Sequence, residues 1–315
     1  MAYITTDTLS APVQQSFDSK ILSTPTANQI HNLAAMPKRM PSKGGKILRM
    51  RRYNQLQPAL VPLGNSGLTP PPQMATAVDI DAEISFYGTY LQINEQCTLQ
   101  AQDKPLNELA IRLGVSLRIT EDLLTRNMLQ ATASQINCTG GVNGDNPTEL
   151  TASDVGNVVK TLLTNDAKTI LENVDATDKF GTGPIRNSFM AFCHTDLTED
   201  INNVAKFKHV NEYPSQHNIG KAEWGSVQNL RFWISSQGAK VTNSSFLGAT
   251  VYSIFVTGME SYAYIMQDGM SATFIYRPAI FDSALAMNAS VGYKFGACPK
   301  ILNDLWLFRL NTTLA

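Results

Sequence analysis

The sequence predicts an α+β fold, a mixed body with one long helix from which a two-stranded hairpin reaches outward. Three observations predict it. Apolar and polar residues alternate strictly from Val78 onward, an apolar repeat at helical spacing runs from Leu106 to Met128, and short strand-like runs separated by turn residues recur after residue 187.

The hairpin comes first in chain order. Lys46 to Leu56 reads as a short, strongly basic strand. Val78 to Ile93 reads as its partner, with Val78, Ile80, Ala82, Ile84 and Phe86 on one face and Asp79, Asp81, Glu83 and Ser85 on the other. Between them Gln57 to Ala77 carries Pro58, Pro62, Gly64, Gly67 and the run Pro70-Pro71-Pro72. A connection of roughly twenty residues without structure of its own is rare inside a compact domain and is usually functional. A lone two-stranded hairpin is marginally stable in water, so the extended loop, residues 46–94, is expected to rest on something else. Residues 1–45 lack sustained periodicity and end in the punctuated stretch Met36-Pro37-Lys38-Arg39-Met40-Pro41-Ser42-Lys43-Gly44-Gly45. They read as an extended N-terminal arm.

Asp103 and Pro105 supply a helix start. Leu106, Ala110, Leu113, Leu117, Leu124 and Met128 then share one face. A helix reaching Ala133 would be about 43 Å long at 1.5 Å per residue. The turn cluster Cys138 to Pro147 ends this region. Thr151-Ala152-Ser153-Asp154 has the form of a capping signal, and Val155, Val158, Val159, Leu162 and Leu163 form the stripe behind it. Asn187 to Cys193, Gln228 to Ser235, Thr250 to Thr257 and Leu305 to Leu310 read as strands, and no internal repeat is present.

Composition narrows the function classes. Charged residues make up 16% of the chain, against roughly 25% for an average soluble domain. The surplus is uncharged and polar, which suits a protein that spends its life against copies of itself, because interface centres are depleted in charge. Apolar runs stop well short of a membrane span, and the Ser/Thr/Gln/Asn-rich start has neither the basic nor the apolar part of a secretory signal. Cytoplasmic folding and free thiols at Cys97, Cys138, Cys193 and Cys298 are therefore expected. The net charge of −1 selects no partner class.

No phosphate loop, zinc helix or nucleophile elbow is present. Cys193 and His194 are neighbours on an expected strand, so their side chains point to opposite faces and cannot act as a pair. His31, His194, His209 and His217 lack metal-ligand spacing. No cofactor, metal or catalytic site is expected. Asp79, Asp81 and Glu83 form a flat row about 7 Å apart, a geometry that meets water or basic groups more readily than it encloses an ion. The basic run from residue 38 to 52 holds Lys38, Arg39, Lys43, Lys46, Arg49, Arg51 and Arg52 with no acid among them. A nucleic-acid contact is one use of such a run. Pairing with the nearby acids, across the hairpin or on a neighbouring molecule, is the other. Lys46, Arg49, Arg51, Arg52, Asp79, Asp81 and Glu83 are accordingly the candidate inter-subunit contacts.

Several stretches carry a resemblance to a known family. Lys43-Gly44 leads into the basic strand, and Tyr87-Gly88 with Tyr90 and Ile93 closes the loop. His194-Thr195-Asp196 is followed by Asp200, Phe207 and Tyr213, then Ala222-Glu223-Trp224-Gly225 and Leu230-Arg231-Phe232. Val256-Thr257-Gly258-Met259-Glu260-Ser261-Tyr262, Gly292-Tyr293-Lys294, Ile301-Leu302-Asn303 and Trp306 complete the series. In these stretches the sequence looks like the major-capsid family typified by coliphage N-four, and the order of elements, arm, extended loop, long helix and mixed body, resembles the Hong Kong 97-type fold of tailed-phage capsids. The family usually has His-Pro-Asp where this chain has His194-Thr195-Asp196, and often an acidic, Gly-containing loop motif where it has Leu68-Thr69-Pro70.

The resemblance implies a shell subunit of a virion capsid, assembled in the host cytoplasm into hexamers and pentamers around packaged DNA. Portal, scaffolding and decoration proteins are the further partners it implies. It also implies an arm (1–45) that orders on assembly, a hairpin (46–94) lying over the neighbouring subunit, a peripheral domain with a spine helix (95–134), an axial domain (135–285) and a return to the peripheral domain (286–315). No covalent crosslink between subunits is expected. The alternatives are the shell protein of a bacterial nanocompartment of the same fold and a cytosolic nucleic-acid-binding protein using residues 38–52.

Overall fold

The computed structural model describes residues 26–60, 72–94, 105–139, 146–170, 188–212, 222–241, 250–270, 272–278 and 287–314. Four strands come first: β1 (Met36–Met40), β2 (Ile47–Tyr53), β3 (Ala77–Glu83) and β4 (Ser85–Asn94). Helix α1 (Pro105–Gln130), strand β5 (Gln135–Asn137) and helix α2 (Ala152–Thr164) follow. Then come β6 (Phe189–His194), the short helix α3 (Thr198–Asn203), β7 (Lys208–His209), β8 (Glu223–Val227), β9 (Leu230–Ser235) and β10 (Ala239–Val241). The chain closes with β11 (Val251–Thr257), β12 (Tyr262–Gln267), β13 (Thr273–Arg277), β14 (Asn288–Ile301) and β15 (Leu307–Thr312). Among the described residues no helix is long and apolar enough to cross a membrane.

These strands form three sheets. In the five-stranded sheet β14 pairs antiparallel with β4 along one edge and with β12 and β13 along the other, and β1 adds to β12 in parallel. The eight-stranded sheet runs β5-β15-β11-β6-β9-β8-β7, with β10 also paired to β11. Among the described residues β2 and β3 pair only with each other. Helix α1 lays Leu113 and Leu117 on Tyr264, Val291, Tyr293 and Phe295 of the five-stranded sheet. Helix α2 is capped as its sequence predicts: Asp154 Oδ2 accepts from the Thr151 backbone N–H at 3.2 Å, while the Asp154 N–H meets Thr151 Oγ1 at 3.4 Å. Its Val155, Val158, Val159 and Leu162 are buried in the core of the eight-stranded sheet, and Leu163 is exposed.

Several expectations need correction. The expected second strand of the hairpin breaks at Ile84. Its first part, β3, pairs with β2, whereas its second part, β4, leaves to pair with β14. The alternation continues unbroken across the change of partner, so periodicity carried no sign of it. Within the described end of the expected arm, Ile30, His31 and Met40 are buried and β1 is a sheet strand. Helix α1 ends at Gln130, short of Ala133.

The sheets do not divide at residue 285 either. β12 and β13 lie in the five-stranded sheet, and β15 lies in the eight-stranded one. The chain crosses between sheets after Thr257 and again after Ile301.

A candidate assembly surface

The hairpin separates its two faces by the period-two rule. Leu48, Met50 and Arg52 of β2 lie opposite Ala82, Ile80 and Val78 of β3 and turn toward the body. Ile47, Arg49, Arg51 and Tyr53 lie opposite Glu83, Asp81, Asp79 and Ala77 and face outward. Among the described residues the inner face enters an apolar core only at its base. Ala82 and Ile84 are buried with Met40, Ala263 and Ile265, and Leu48 and Met50 pack partly against the same cluster. Farther out, a groove of about 280 Å³ opens between Met50 and Ile80 on the hairpin and Met36, Leu302 and Trp306 on the body.

The outer face carries a charge ladder made of the residues singled out from sequence. Arg49 donates to Asp81 through Nε at 2.7 Å and Nη2 at 2.9 Å. Arg51 donates to Asp79 through Nε at 2.7 Å and Nη2 at 3.1 Å. Lys46 pairs with Glu83 at the base. Each forked guanidinium hydrogen bond holds its partner, Asp81 or Asp79, below the usual carboxylate range. Arg52 stands apart on the inner face and reaches the Leu302 carbonyl at 3.4 Å. The structure therefore brings six of the seven candidate residues together as cross-strand pairs of one chain.

The ladder also decides against the basic run as a free cationic patch. Three of its members are neutralised by acids beside them, and Arg39 lies 3.9 Å from Asp268. Since exposed pairs contribute roughly 0–1 kcal/mol each, the ladder acts chiefly to fix register and stiffness. The legs of the loop stay together beyond the strands. Asn54 N–H donates to the Thr76 carbonyl at 2.9 Å, and the Gln73 side chain bridges both backbone groups of Gln57 at 2.9–3.1 Å. Residues 61–71, with most of the Pro/Gly tip, lie outside the described residues.

Large apolar side chains stand exposed along these legs: Tyr53, Leu56, Leu60 at 84% and Met74 at 90%. A second exposed surface lies on the five-stranded sheet, on the face away from α1. There Phe86 and Tyr90 of β4 lie opposite Gly296 and Gly292 of β14. A depression of about 430 Å³ beside them is lined by Gly88, Tyr90, Ile275, Arg277, Ser290 and Gly292. The sequence signal for this surface was the spacing Phe86-x-Gly88-x-Tyr90. It passed unread because exposure depends on which strand β4 pairs with.

The remaining polar candidates have structural surroundings. Burial pushes the Cys193 thiol far above its ordinary range and Cys138 up to about 12, and a thiol held protonated is a poor nucleophile. The Cys193 thiol donates to the Trp233 carbonyl at 3.4 Å. His194 accepts the Asp196 N–H at 3.0 Å on Nδ1, and His31 bonds to Asp122. His217 and Cys97 lie outside the described residues. Among the described residues no three His, Cys, Asp or Glu side chains gather as a metal site.

This architecture matches solved phage head structures over nearly its whole length. The head structure of Helicobacter pylori bacteriophage KHP40 aligns with a TM-score of 0.72 at 8% identity, covering 99% of each chain. The capsid of Ralstonia phage GP4 aligns at 0.68 and 8% identity, over 97% of this chain and 96% of that one. The capsid asymmetric unit of cyanophage Pam1 aligns at 0.67 and 12% identity, over 99% of each. No protein-family model and no curated protein matches the sequence. The chain has the α+β fold of phage capsid proteins, the Hong Kong 97-like class that its sequence resembles.

Proposed function

We propose that this chain is the major capsid protein of a tailed double-stranded DNA bacteriophage. Its copies cluster into hexamers and pentamers that tile an icosahedral shell around the packaged genome. The observation that supports this best is the end-to-end match with phage head proteins, 99% of both chains for the first of them. The role is structural, and the geometry of the subunit is the mechanism.

In this reading the eight-stranded sheet is the core of the axial domain and meets its copies around the local symmetry axis. The five-stranded sheet is the core of the peripheral domain, with α1 as its spine helix. The hairpin lies over a neighbouring subunit, which covers Tyr53, Leu56, Leu60 and Met74. The six paired charges, Lys46 with Glu83, Arg49 with Asp81 and Arg51 with Asp79, keep it straight and present it in one register, and Arg52 ties its inner face to the body. Weak contacts of this kind, repeated around a closed shell, set specificity more than affinity. Portal, scaffolding and decoration proteins complete the list of partners, and packaged DNA lies close to the inner surface without sequence-specific contact.

Electron microscopy of the purified, expressed protein tests the proposal. Closed shells, or hexamer and pentamer clusters that close on concentration, are the expected result. Small shells of one size that enclose a host enzyme would reassign the chain to a bacterial nanocompartment. A monomer with salt-sensitive affinity for DNA would overturn the capsid reading.

A further inference from the structure

Residues Asn28 to Met40 run through the junction of the two large sheets and α1, and His31 is fully buried there. One carboxylate of α1 receives two groups of this residue. The His31 backbone N–H donates to Asp122 Oδ1 at 2.8 Å, and ring Nδ1 lies 2.7 Å from Asp122 Oδ2. From the five-stranded sheet, the Tyr262 hydroxyl of β12 donates to the His31 carbonyl at 2.5 Å. From the eight-stranded sheet, Phe192 of β6 and Phe255 of β11 hold the ring at centroid distances of 5.8 and 6.1 Å.

The flanking residues repeat the arrangement. Ser235, at the end of β9, donates to the Asn28 carbonyl, and Thr125 of α1 donates to Asn32 Oδ1 at 2.5 Å. A carboxylate as buried as Asp122 is tolerated when its oxygens are hydrogen-bonded, and both are bonded to His31. Three structural units thus converge on one residue, His31, just ahead of β1, through which the same segment joins the five-stranded sheet.

We infer that residues 28–40 form an intramolecular clasp, closed on His31, that fixes the two sheets and α1 at one mutual angle. A segment merely docked on the surface would bond to one unit and could leave without disturbing the others. A clasp must open for the sheets to move against each other, so the junction opens as one cooperative unit. The inference stands on the subunit's own packing and holds whether or not the chain forms shells.

Native-state hydrogen exchange on the full chain tests it. In the unmodified protein, the His31 amide is expected to exchange within about tenfold of the Tyr262–Gln267 amides. In His31→Ala, exchange should rise at least about tenfold together in β12, β6 and β9, with a smaller rise in α2. His31→Asn keeps a donor near the Nδ1 position and should recover part of the protection. A rise confined to residues 28–40, or a uniform rise that includes α2, would overturn the inference. If His31→Ala does not fold, the unmodified protein still decides the matter: a His31 amide exchanging about a hundredfold faster than those of β12 rules out a clasp.

Discussion

His194 closes β6 and caps the turn that leads into α3, accepting the Asp196 N–H on Nδ1. Burial holds its imidazole below the ordinary value, Lys240 and Arg126 push the same way, and Asp196 opposes them. Protonation of Nδ1 removes the acceptor on which the cap depends and makes that nitrogen a donor beside Asp196 Oδ2, 3.2 Å away. The sign follows from linkage. The unfolded chain takes up this proton at higher pH than the folded one, so the contribution of His194 is complete above about pH 6.5 and is lost as pH falls through the folded value. Denaturant midpoints at pH 7.5 and 5.5 should therefore differ less for His194→Asn, which keeps a cap acceptor without the titration, than for the unmodified chain. An equal pH dependence in both would refute the assignment. The cap at Thr151 was legible in the sequence because its partner stands three residues away. The surroundings of His194 were not, because Lys240 and Tyr252 arrive from other strands.

Among the elements, β14 explains most about the sheet and was the least visible in sequence. It contains Gly292, Gly296 and Pro299, residues that usually mark turns. The structure shows why a strand needs glycine there. A Cβ on Gly292 would stand 2.7 Å from Tyr90 Cβ and 2.8 Å from the Thr89 carbonyl, and one on Gly88 would stand 2.6 Å from the Tyr293 carbonyl. The two strands approach over bare backbone, with Tyr90 resting on the glycine opposite. Gly292→Val should cost about 1–3 kcal/mol in chemical denaturation, and no loss would show that β4 and β14 can separate freely.

The hairpin is the contrasting case. Its charges and alternation were legible, whereas its length was overread because a strand can change partners without changing its pattern. Register in β2 and β3 rests on the ladder, so like charges introduced at one rung should misalign it. Arg51→Asp alone is expected to lower the yield of shells, and adding Asp79→Arg should restore it. Equal yields from both variants would show that the ladder has no part in assembly.

At the scale of the molecule, the fold reads as two sheets joined near the long helix, with one element that leaves apolar side chains open among the described residues. The base of the hairpin is sealed by Met40, Ala263 and Ile265, while its outer legs expose Leu60 and Met74 and leave a groove beneath Met50. The order of elements was legible because each carries a local pattern: alternation, helical repeat or turn cluster. The division into sheets was not, since it depends on β12, β13 and β15 crossing between layers. Among the described residues nothing covers this side-chain row, and in the proposed reading a second copy of the chain does. The most direct measurement removes Gln57 to Ala77, joins the shortened legs with a tight turn, and compares sedimentation and electron micrographs with those of the unmodified chain. Folded but unassembled subunits are the predicted result, and shells of normal size and stability would contradict the account.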